Sequence, residues 1–181
     1  SALGARIFAT GVPGPGAPRR LRGLRLVVQG TRSANATCTQ VASIALRRED
    51  RLLALDGFSV ENPRGKSPPT EQPEKVLAAR GKWLDWNFRE NGCSVLLLSH
   101  PSGVEVDDFA FRTAYDAPHR DPIYFRLDGS PDGWQWVTLH EMASGLYVPQ
   151  ARQAWSPWLS LAPDPAPPEA SAADAPPTGG P

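Results

Sequence analysis

Residues 123–140 read IYFRLDGSPDGWQWVTLH, and this stretch decides the fold class of the chain. Apolar side chains occupy every second position from Ile123 to Leu127, which is the period of a strand with one buried face. Asp132-Gly133 follows as a typical turn dipeptide. The residues after the turn are rich in aromatic and β-branched side chains, so we expect 134–140 to return antiparallel. The stretch therefore predicts a β-hairpin.

Similar short apolar runs, separated by turn residues, continue outward from this hairpin. They predict further strands at residues 24–29, 40–46, 51–55, 94–99 and 104–113. In the last run, a bulge at Asp107-Asp108 would keep the apolar side chains on one face. Helical character is confined to Gln72–Ala79, with Pro73 near the first turn. Many short strands with hardly any helix predict an all-β sandwich or barrel.

The composition divides the 181 residues into one domain and two appendages. Residues 11–18 are a Gly/Pro-rich linker, and the last twenty or so residues are mostly Pro, Ala, Gly and acid. We predict a flexible N-terminal segment at 1–20, a β-sandwich at 21–160 and a disordered Pro/Ala-rich tail at 161–181. Because the chain begins with Ser, we expect it to be part of a longer protein.

The charge balance limits the classes of partner. Lys+Arg and Asp+Glu are both 19, so the formal net charge is +0. Nucleic-acid binding needs a basic surface, so no nucleic-acid partner is expected. A local basic cluster near the N-terminus, which we interpret as a solvated flexible arm, comprises Arg19, Arg20, Arg22 and Arg25. No apolar run approaches the roughly 20 residues of a membrane span, so no transmembrane segment is expected.

Two cysteines and one sequence triplet are candidates for covalent modification, as a disulfide and as a glycosylation site. Cys38 and Cys93 lack the spacing of metal ligands. They could form one disulfide, if their Cα atoms lie within about 7 Å, or remain two separate thiols. Asn35-Ala36-Thr37 fits the N-glycosylation pattern, which would make Asn35 a glycosylation site in a secreted protein.

Several ordered blocks carry a resemblance to a known family. Lys82-Trp83-Leu84-Asp85-Trp86-Asn87-Phe88 is similar to the Lys-Trp-Leu-Asp-Phe-Asn block of the discoidin-like family, also called coagulation factor 5/8 type C or galactose-binding-domain-like. The other matching blocks lie at 57–63, 67–75, 113–122, 126–133, 136–141 and 148–152. The resemblance implies an antiparallel eight-stranded jelly-roll sandwich whose loops at one end bind glycans, phospholipid head groups or proteins. Members of the family are recognition modules without chemistry of their own.

The chain departs from the family pattern in two loops. Relatives often have an acidic turn before the Trp that helps to hold a structural calcium, whereas this chain has Val76–Trp83 without an acid and with Arg80. A hard cation needs several oxygen ligands, so neither calcium nor any other cofactor is expected. Tyr115 stands where relatives commonly have Asn.

Eight residues are candidates for ligand binding, because aromatic platforms and polar groups on loops are what a sugar site requires. They are Trp86, Arg112, Tyr115, Asp116, His119, Trp134, Arg64 and Lys66. Core positions are favoured for Trp83 and Trp136, and for Trp86 as well, whereas Trp134 after the turn could be exposed. A structural interpretation is favoured for the polar cluster, in which Asp121 would cap loop amides and Arg120 would pair with it.

No enzymatic motif is complete. His140-Glu141 begins like the zinc motif His-Glu-x-x-His, but Ser144 occupies the second histidine position. Asp107 and Asp108 would point to opposite faces of a strand. We therefore expect no catalytic residue and no metal ligand.

The function expected is non-catalytic recognition of a carbohydrate, or another ligand displayed outside the cell or on its surface, through the loops. The alternatives are a protein–protein assembly domain and a phospholipid-binding domain, the latter suggested by Phe58 with Arg64 and Lys66.

Overall fold

The structure, a computed structural model, describes residues 6–7, 20–143 and 147–161. The predicted linker at 11–18 lies outside the described residues. The predicted tail does so as well, except for its first residue, Leu161, which is buried in the core.

The described residues form two five-stranded sheets and one two-stranded sheet. The first sheet has the order β1 (Arg6–Ile7), β12 (Trp158–Ser160), β9 (Asp108–Arg112), β4 (Ser43–Arg48) and β5 (Arg51–Leu52). The second has the order β11 (Val137–Met142), β10 (Pro122–Ser130), β2 (Arg20–Thr31), β8 (Ser94–Glu105) and β6 (Ser59–Glu61). The small sheet pairs β3 (Thr39–Val41) with β7 (Trp83–Asp85). The prediction of an all-β fold is confirmed.

The two large sheets share one apolar core. Alternate residues of β2, β8 and β10 on one sheet, and of β4 and β9 on the other, are almost completely buried. The rings of Phe111 and Phe125 meet edge to face across the two sheets, with their centroids 5.6 Å apart. This common interior gives the domain a sandwich-like architecture, and it holds the loops on a rigid base.

Three local predictions need correction. The strand predicted at 40–46 is interrupted at Ala42, so that β3 and β4 belong to different sheets. The bulge predicted at Asp107-Asp108 is not formed, since β8 ends at Glu105 and β9 begins at Asp108 in the other sheet. The helix predicted after Gln72 is a short 3-10 segment, Pro73–Leu77. One four-residue α-helix, α1 (Phe88–Asn91), and a second 3-10 segment, Pro118–Arg120, complete the described elements.

The N-terminal region also differs from expectation. Arg6–Ile7 lies within the predicted flexible segment but pairs in parallel with β12. From Arg20 onward the basic cluster belongs to β2 and is not a free arm. Arg25 donates to Asp128 at 2.8 Å, and its guanidinium stacks 4.4 Å from the Trp136 ring. The contacts of this arginine are therefore structural.

The antiparallel order of the strands places the long connections at one end of the domain. β2, β6 and β9 end there, and β4, β8, β10 and β12 begin there. We call this the loop end; it consists of residues 32–38, 62–93, 113–121, 143 and 147–157. The opposite end, which carries the connection 131–136 between β10 and β11, is called the hairpin end. No helix in the described part of the chain has the length and apolar character of a membrane span.

Candidate functional site

The loop end holds six of the eight predicted ligand-binding residues. Arg112 is the last residue of β9, which ends there, and Trp134 lies at the hairpin end. Trp134 lies in the connection after β10, whereas Tyr115, Asp116 and His119 lie in the connection before it. The nine residues of β10 separate the two connections by about 26 Å, at the usual rise of a strand. The structure therefore does not bring the predicted residues into one site.

Lys82 is the centre of the most ordered polar cluster at the loop end. Its side chain is 2% exposed, and lysine is almost never buried so completely unless it is paired. Its Nζ donates to both carboxylate oxygens of Asp116, at 2.7 and 2.8 Å, and to Gln40 Oε1 at 2.8 Å. A carboxylate oxygen of Glu71 lies 3.6 Å away. These contacts use all three ammonium protons, so Lys82 is a support and not a free ligand-binding group.

Tyr115 and Asp116 are held by this cation while remaining accessible. The Nζ atom of Lys82 lies 5.0 Å from the centroid of the Tyr115 ring, a cation–π distance. Tyr115 is 52% exposed, and the Asp116 side chain is 40% exposed. Burial raises the pKa of Asp116, but hydrogen bonds from Lys82 and Gln40 and the charges of Lys82 and Arg120 outweigh it. The pKa of this carboxyl therefore lies below its ordinary 3.8, and Asp116 is a charged acceptor at neutral pH.

A cavity of about 250 Å³ lies beside Tyr115. Arg112 is one of its walls; its Nη2 donates to Ala79 O at 2.7 Å and to Ser43 Oγ at 3.1 Å. The cavity is completed by Ala42, Ala79, Arg80, Gly81 and Gln153. Arg80 and Gln153 were not expected in the site. Their sequence surroundings gave no signal, because they reach the cavity from two different connections.

Asp121 joins three segments of the loop end. Its side chain is completely buried and accepts hydrogen bonds from Arg32 Nη2 at 3.1 Å and Arg152 Nη1 at 2.9 Å. A second bond joins Arg152 Nη2 to the same carboxylate. The hydrogen bond with Asp121 raises the pKa of Arg152 above its ordinary value. The predicted pairing with Arg120 is wrong, because its neighbours in space are Arg32 and Arg152.

Arg64, Lys66 and Trp86 form a separate patch at the other end of β7 from Lys82. Lys66 Nζ lies 6.0 Å from the Trp86 ring centroid, and the backbone N–H of Trp86 donates to Lys66 O at 2.8 Å. The core position favoured for Trp86 is wrong, because β7 ends at Asp85 and the Trp86 side chain is 49% exposed. Trp83 is fully buried, as predicted.

His119 is exposed on the 3-10 segment, and its backbone carbonyl accepts a hydrogen bond from the N–H of Ser33 at 3.0 Å. No side-chain contact in the described part of the chain joins it to the cavity beside Tyr115. The Phe58 ring is half buried against His100, with ring centroids 5.0 Å apart. Phe58 precedes β6, whereas Arg64 follows it. The lipid-binding alternative therefore stays a prediction.

Trp134 is a highly exposed aromatic side chain at the hairpin end. Trp134 is 87% exposed, as its place after the turn suggested. Trp136 is half buried against Gly23 and Arg25 and lies outside the core cluster, which corrects the core position favoured for it. Asp132 Oδ1 accepts from the backbone N–H groups of Trp134 and Gln135, both at 2.8 Å, so this carboxylate stabilises the turn.

Covalent and metal chemistry are limited in the described residues. Cys38, which is buried, and Cys93, which is half buried, are both free thiols, and the alternative of a disulfide is not formed. Asn35 is exposed. Within residues 6–7, 20–143 and 147–161, no three His, Cys, Asp or Glu side chains are grouped as metal ligands. His140 is buried and its Nδ1 lies 3.0 Å from Ser160 O, a contact that joins β11 to β12.

Comparison of the chain with models of protein families gives no match. Neither curated proteins nor solved structures give one.

Proposed function

We propose that the domain is a non-catalytic recognition module that binds carbohydrate at the loop end, in the cavity beside Tyr115. The observation that carries the proposal is the joint support of Tyr115 and Asp116 by one buried cation, Lys82. A half-exposed aromatic ring offers a platform for the C–H face of a sugar, and an ionised carboxylate accepts from its hydroxyl groups. Preorganised groups of this kind reduce the entropy lost on binding.

The size and rigidity of the site favour a single terminal sugar. A cavity of about 250 Å³ lies just below the usual range of roughly 300–1,000 Å³ for drug-sized ligands. Arg112 is fixed by Ser43 and Ala79, so this wall is already ordered before a ligand arrives. We expect a dissociation constant between about 1 μM and 1 mM, with avidity supplied by neighbouring modules.

The resemblance of the sequence to discoidin-like domains supports the same proposal. Those domains are jelly-roll sandwiches that use loops at one end for recognition, and we propose that this domain follows that plan and acts outside the cell or at its surface. The block from Lys82 to Phe88 that carries the resemblance also supplies Lys82, the cation beneath Tyr115.

Titration of the full chain with methyl galactosides and methyl glucosides, followed by tryptophan fluorescence and by NMR of the backbone amides, tests the proposal. Arg112 lies 5.7 Å from the Trp155 ring, so occupation of the cavity should change the emission of Trp155. We expect Tyr115→Ala to weaken binding at least tenfold, which corresponds to about 1.4 kcal/mol. Trp134→Ala is the control at the hairpin end and should bind unchanged. Flat titrations with every sugar would refute the proposal.

A protein–protein assembly role is the second candidate, and one observation favours it. Trp134, with the half-exposed Val137 beside it, presents an aromatic side chain of the type that anchors protein interfaces. If the domain bound a partner in this way, amide shifts induced by the partner would map to residues 131–137 and disappear with Trp134→Ala. Shifts confined to the loop end would exclude this role for Trp134.

A further inference from the structure

A second concave surface lies on the outer side of the sheet that contains β2 and β10. It is a cavity of about 530 Å³, twice the size of the one beside Tyr115. Its lining comes from four parts of the chain, namely the end of β2, the connection after it, α1 with the glycine that follows it, and Tyr124 of β10. Residues that the sequence did not identify as a site form most of this surface.

Tyr124 forms one wall of this cavity and is held in a defined position. It stands opposite Gly30 in the register of β10 and β2. A Cβ atom at Gly30 would lie 2.6 Å from Tyr124 Cδ2, so the ring packs directly on the glycine backbone. The ring is nevertheless 44% exposed. A glycine thus allows the close approach on one side of the ring, while the rest of the ring remains open to a ligand.

The rest of the lining combines polar amides with a positive charge, that of Arg89. Gln29 and Asn35 are exposed side chains that can donate and accept hydrogen bonds. Arg89 donates to Ala34 O at 3.3 Å, and no described carboxylate pairs with it. Phe88 adds a mostly buried apolar surface. An aromatic wall, two amides and a guanidinium that no described carboxylate neutralises together match a sugar that also carries a carboxylate.

We infer that this cavity is a second binding site, selective for an acidic sugar such as a uronic acid or a sialic acid. The ring of Tyr124 would contact the C–H face, Gln29 and, when it carries no glycan, Asn35 the hydroxyl groups, and Arg89 the carboxylate. A volume of about 530 Å³ accommodates one or two sugar rings, within the usual range of ligand pockets. The residues involved are distinct from Tyr115, Asp116 and Lys82, so the inference does not depend on the site proposed above.

The test compares methyl glucuronide with methyl glucoside, two probes that differ only in the carboxylate. Binding to the full chain is followed by NMR, with the backbone amides of Gly30 and Arg89 as reporters. We expect the glucuronide to bind at least fivefold more tightly at these reporters, and the preference to shrink at high ionic strength. Arg89→Gln should remove the preference without preventing folding, since Arg89 is exposed.

Matched variants separate this site from the others. Tyr124→Ala should weaken both sugars at least tenfold, whereas Arg51→Gln, an exposed arginine on the edge strand β5, should change neither. Tyr115→Ala should leave the Gly30 and Arg89 shifts intact. A preference that survives Arg89→Gln, or sugars that shift no amide around Gly30, would overturn the inference. Shifts around Tyr115 alone would overturn this inference and support the first site. Shifts around Gly30 alone would support this inference and count against the first site.

Discussion

The two ends of the domain each present an exposed aromatic ring next to an aspartate, but they support these groups differently. At the loop end, Tyr115 and Asp116 contact the buried ammonium of Lys82. At the hairpin end, Asp132 accepts hydrogen bonds from the turn that carries Trp134. The Trp134 side chain is 87% exposed. A side chain that is fixed through a buried charge can hold a ligand in one geometry, whereas one on a turn contributes mainly area.

Buried charges are costly, so their position indicates where the domain needs fixed geometry. The loop end contains Lys82, at 2% exposure, and Asp121, at 0%. Asp121 holds the connection before β10 against the start of the connection after β2 and the segment that follows β11. The connection 131–136 itself has no comparable network, since the contacts of Asp132 are to Ser130 and to neighbouring backbone amides. The buried Asp128, which pairs with Arg25 and Arg126, lies before this connection in β10.

Asp121→Ala should have the largest effect on stability. Its removal leaves Arg32 and Arg152 facing each other without their shared carboxylate, although both arginines are partly exposed and can be hydrated. We expect the free energy of unfolding to fall by about 3 kcal/mol. Urea denaturation followed by tryptophan fluorescence measures the change, and Asp56→Ala, at an exposed aspartate, should be near neutral. A loss below about 1 kcal/mol would show that the network is not what orders the loop end.

Lys82→Met should have a smaller effect on stability and a specific effect on binding. Methionine keeps most of the apolar volume, and the half-exposed Asp116 can be hydrated when its partner is lost. We expect the free energy of unfolding to fall by about 1–2 kcal/mol. Neutral sugars should bind about tenfold more weakly, because Tyr115 and Asp116 lose their common support. Lys66→Met, at an exposed lysine, is the control.

Unchanged sugar affinity in folded Lys82→Met would separate the two roles of Lys82. It would mean that Lys82 stabilises the loop end but does not position Tyr115. The difference between the two ends would then concern stability alone.

Acidification should weaken the hairpin end through Asp132. Hydrogen bonds from the N–H groups of Gln135 and Trp134 hold the pKa of this carboxyl below its ordinary 3.8. A group whose folded pKa is depressed stabilises the fold above its unfolded pKa, and that contribution is lost as the pH falls through the folded value. Carboxyl carbon NMR should therefore show Asp132 titrating below pH 3.8. A pKa at or above this value would contradict the hydrogen bonds of the turn.

The strand pattern of the sequence predicts the fold better than it predicts the site. Alternation at Phe125 and Leu127 identifies β10 correctly, because burial on one face produces a local period of two. The partners of Lys82 have no such local signature: Asp116 lies 34 residues away and Gln40 lies 42 residues away. Only the tertiary fold joins them.

The exposure of Trp86 illustrates the same limit at shorter range. A tryptophan three residues after the buried Trp83 invites a core interpretation, yet the strand ends between them. The end of β7 depends on its pairing with β3, since Thr39 opposite Asp85 is the last residue pair. Similarly, the arginine partners of Asp121 are Arg32, which follows β2, and Arg152, so the pairing predicted with the nearby Arg120 is wrong.

Trp134→Ala should have the smallest effect and gives the sharpest control for the comparison of the two ends. The side chain is 87% exposed, so its removal should change the free energy of unfolding by less than about 0.5 kcal/mol. Sugar affinity at the loop end should also be unchanged, because β10 separates the two sites. Urea midpoints and sugar titrations of the variant measure both quantities. A clear loss of sugar affinity would mean that the hairpin end takes part in ligand binding, and the ordered charges of the loop end would then mark stability and not the recognition site.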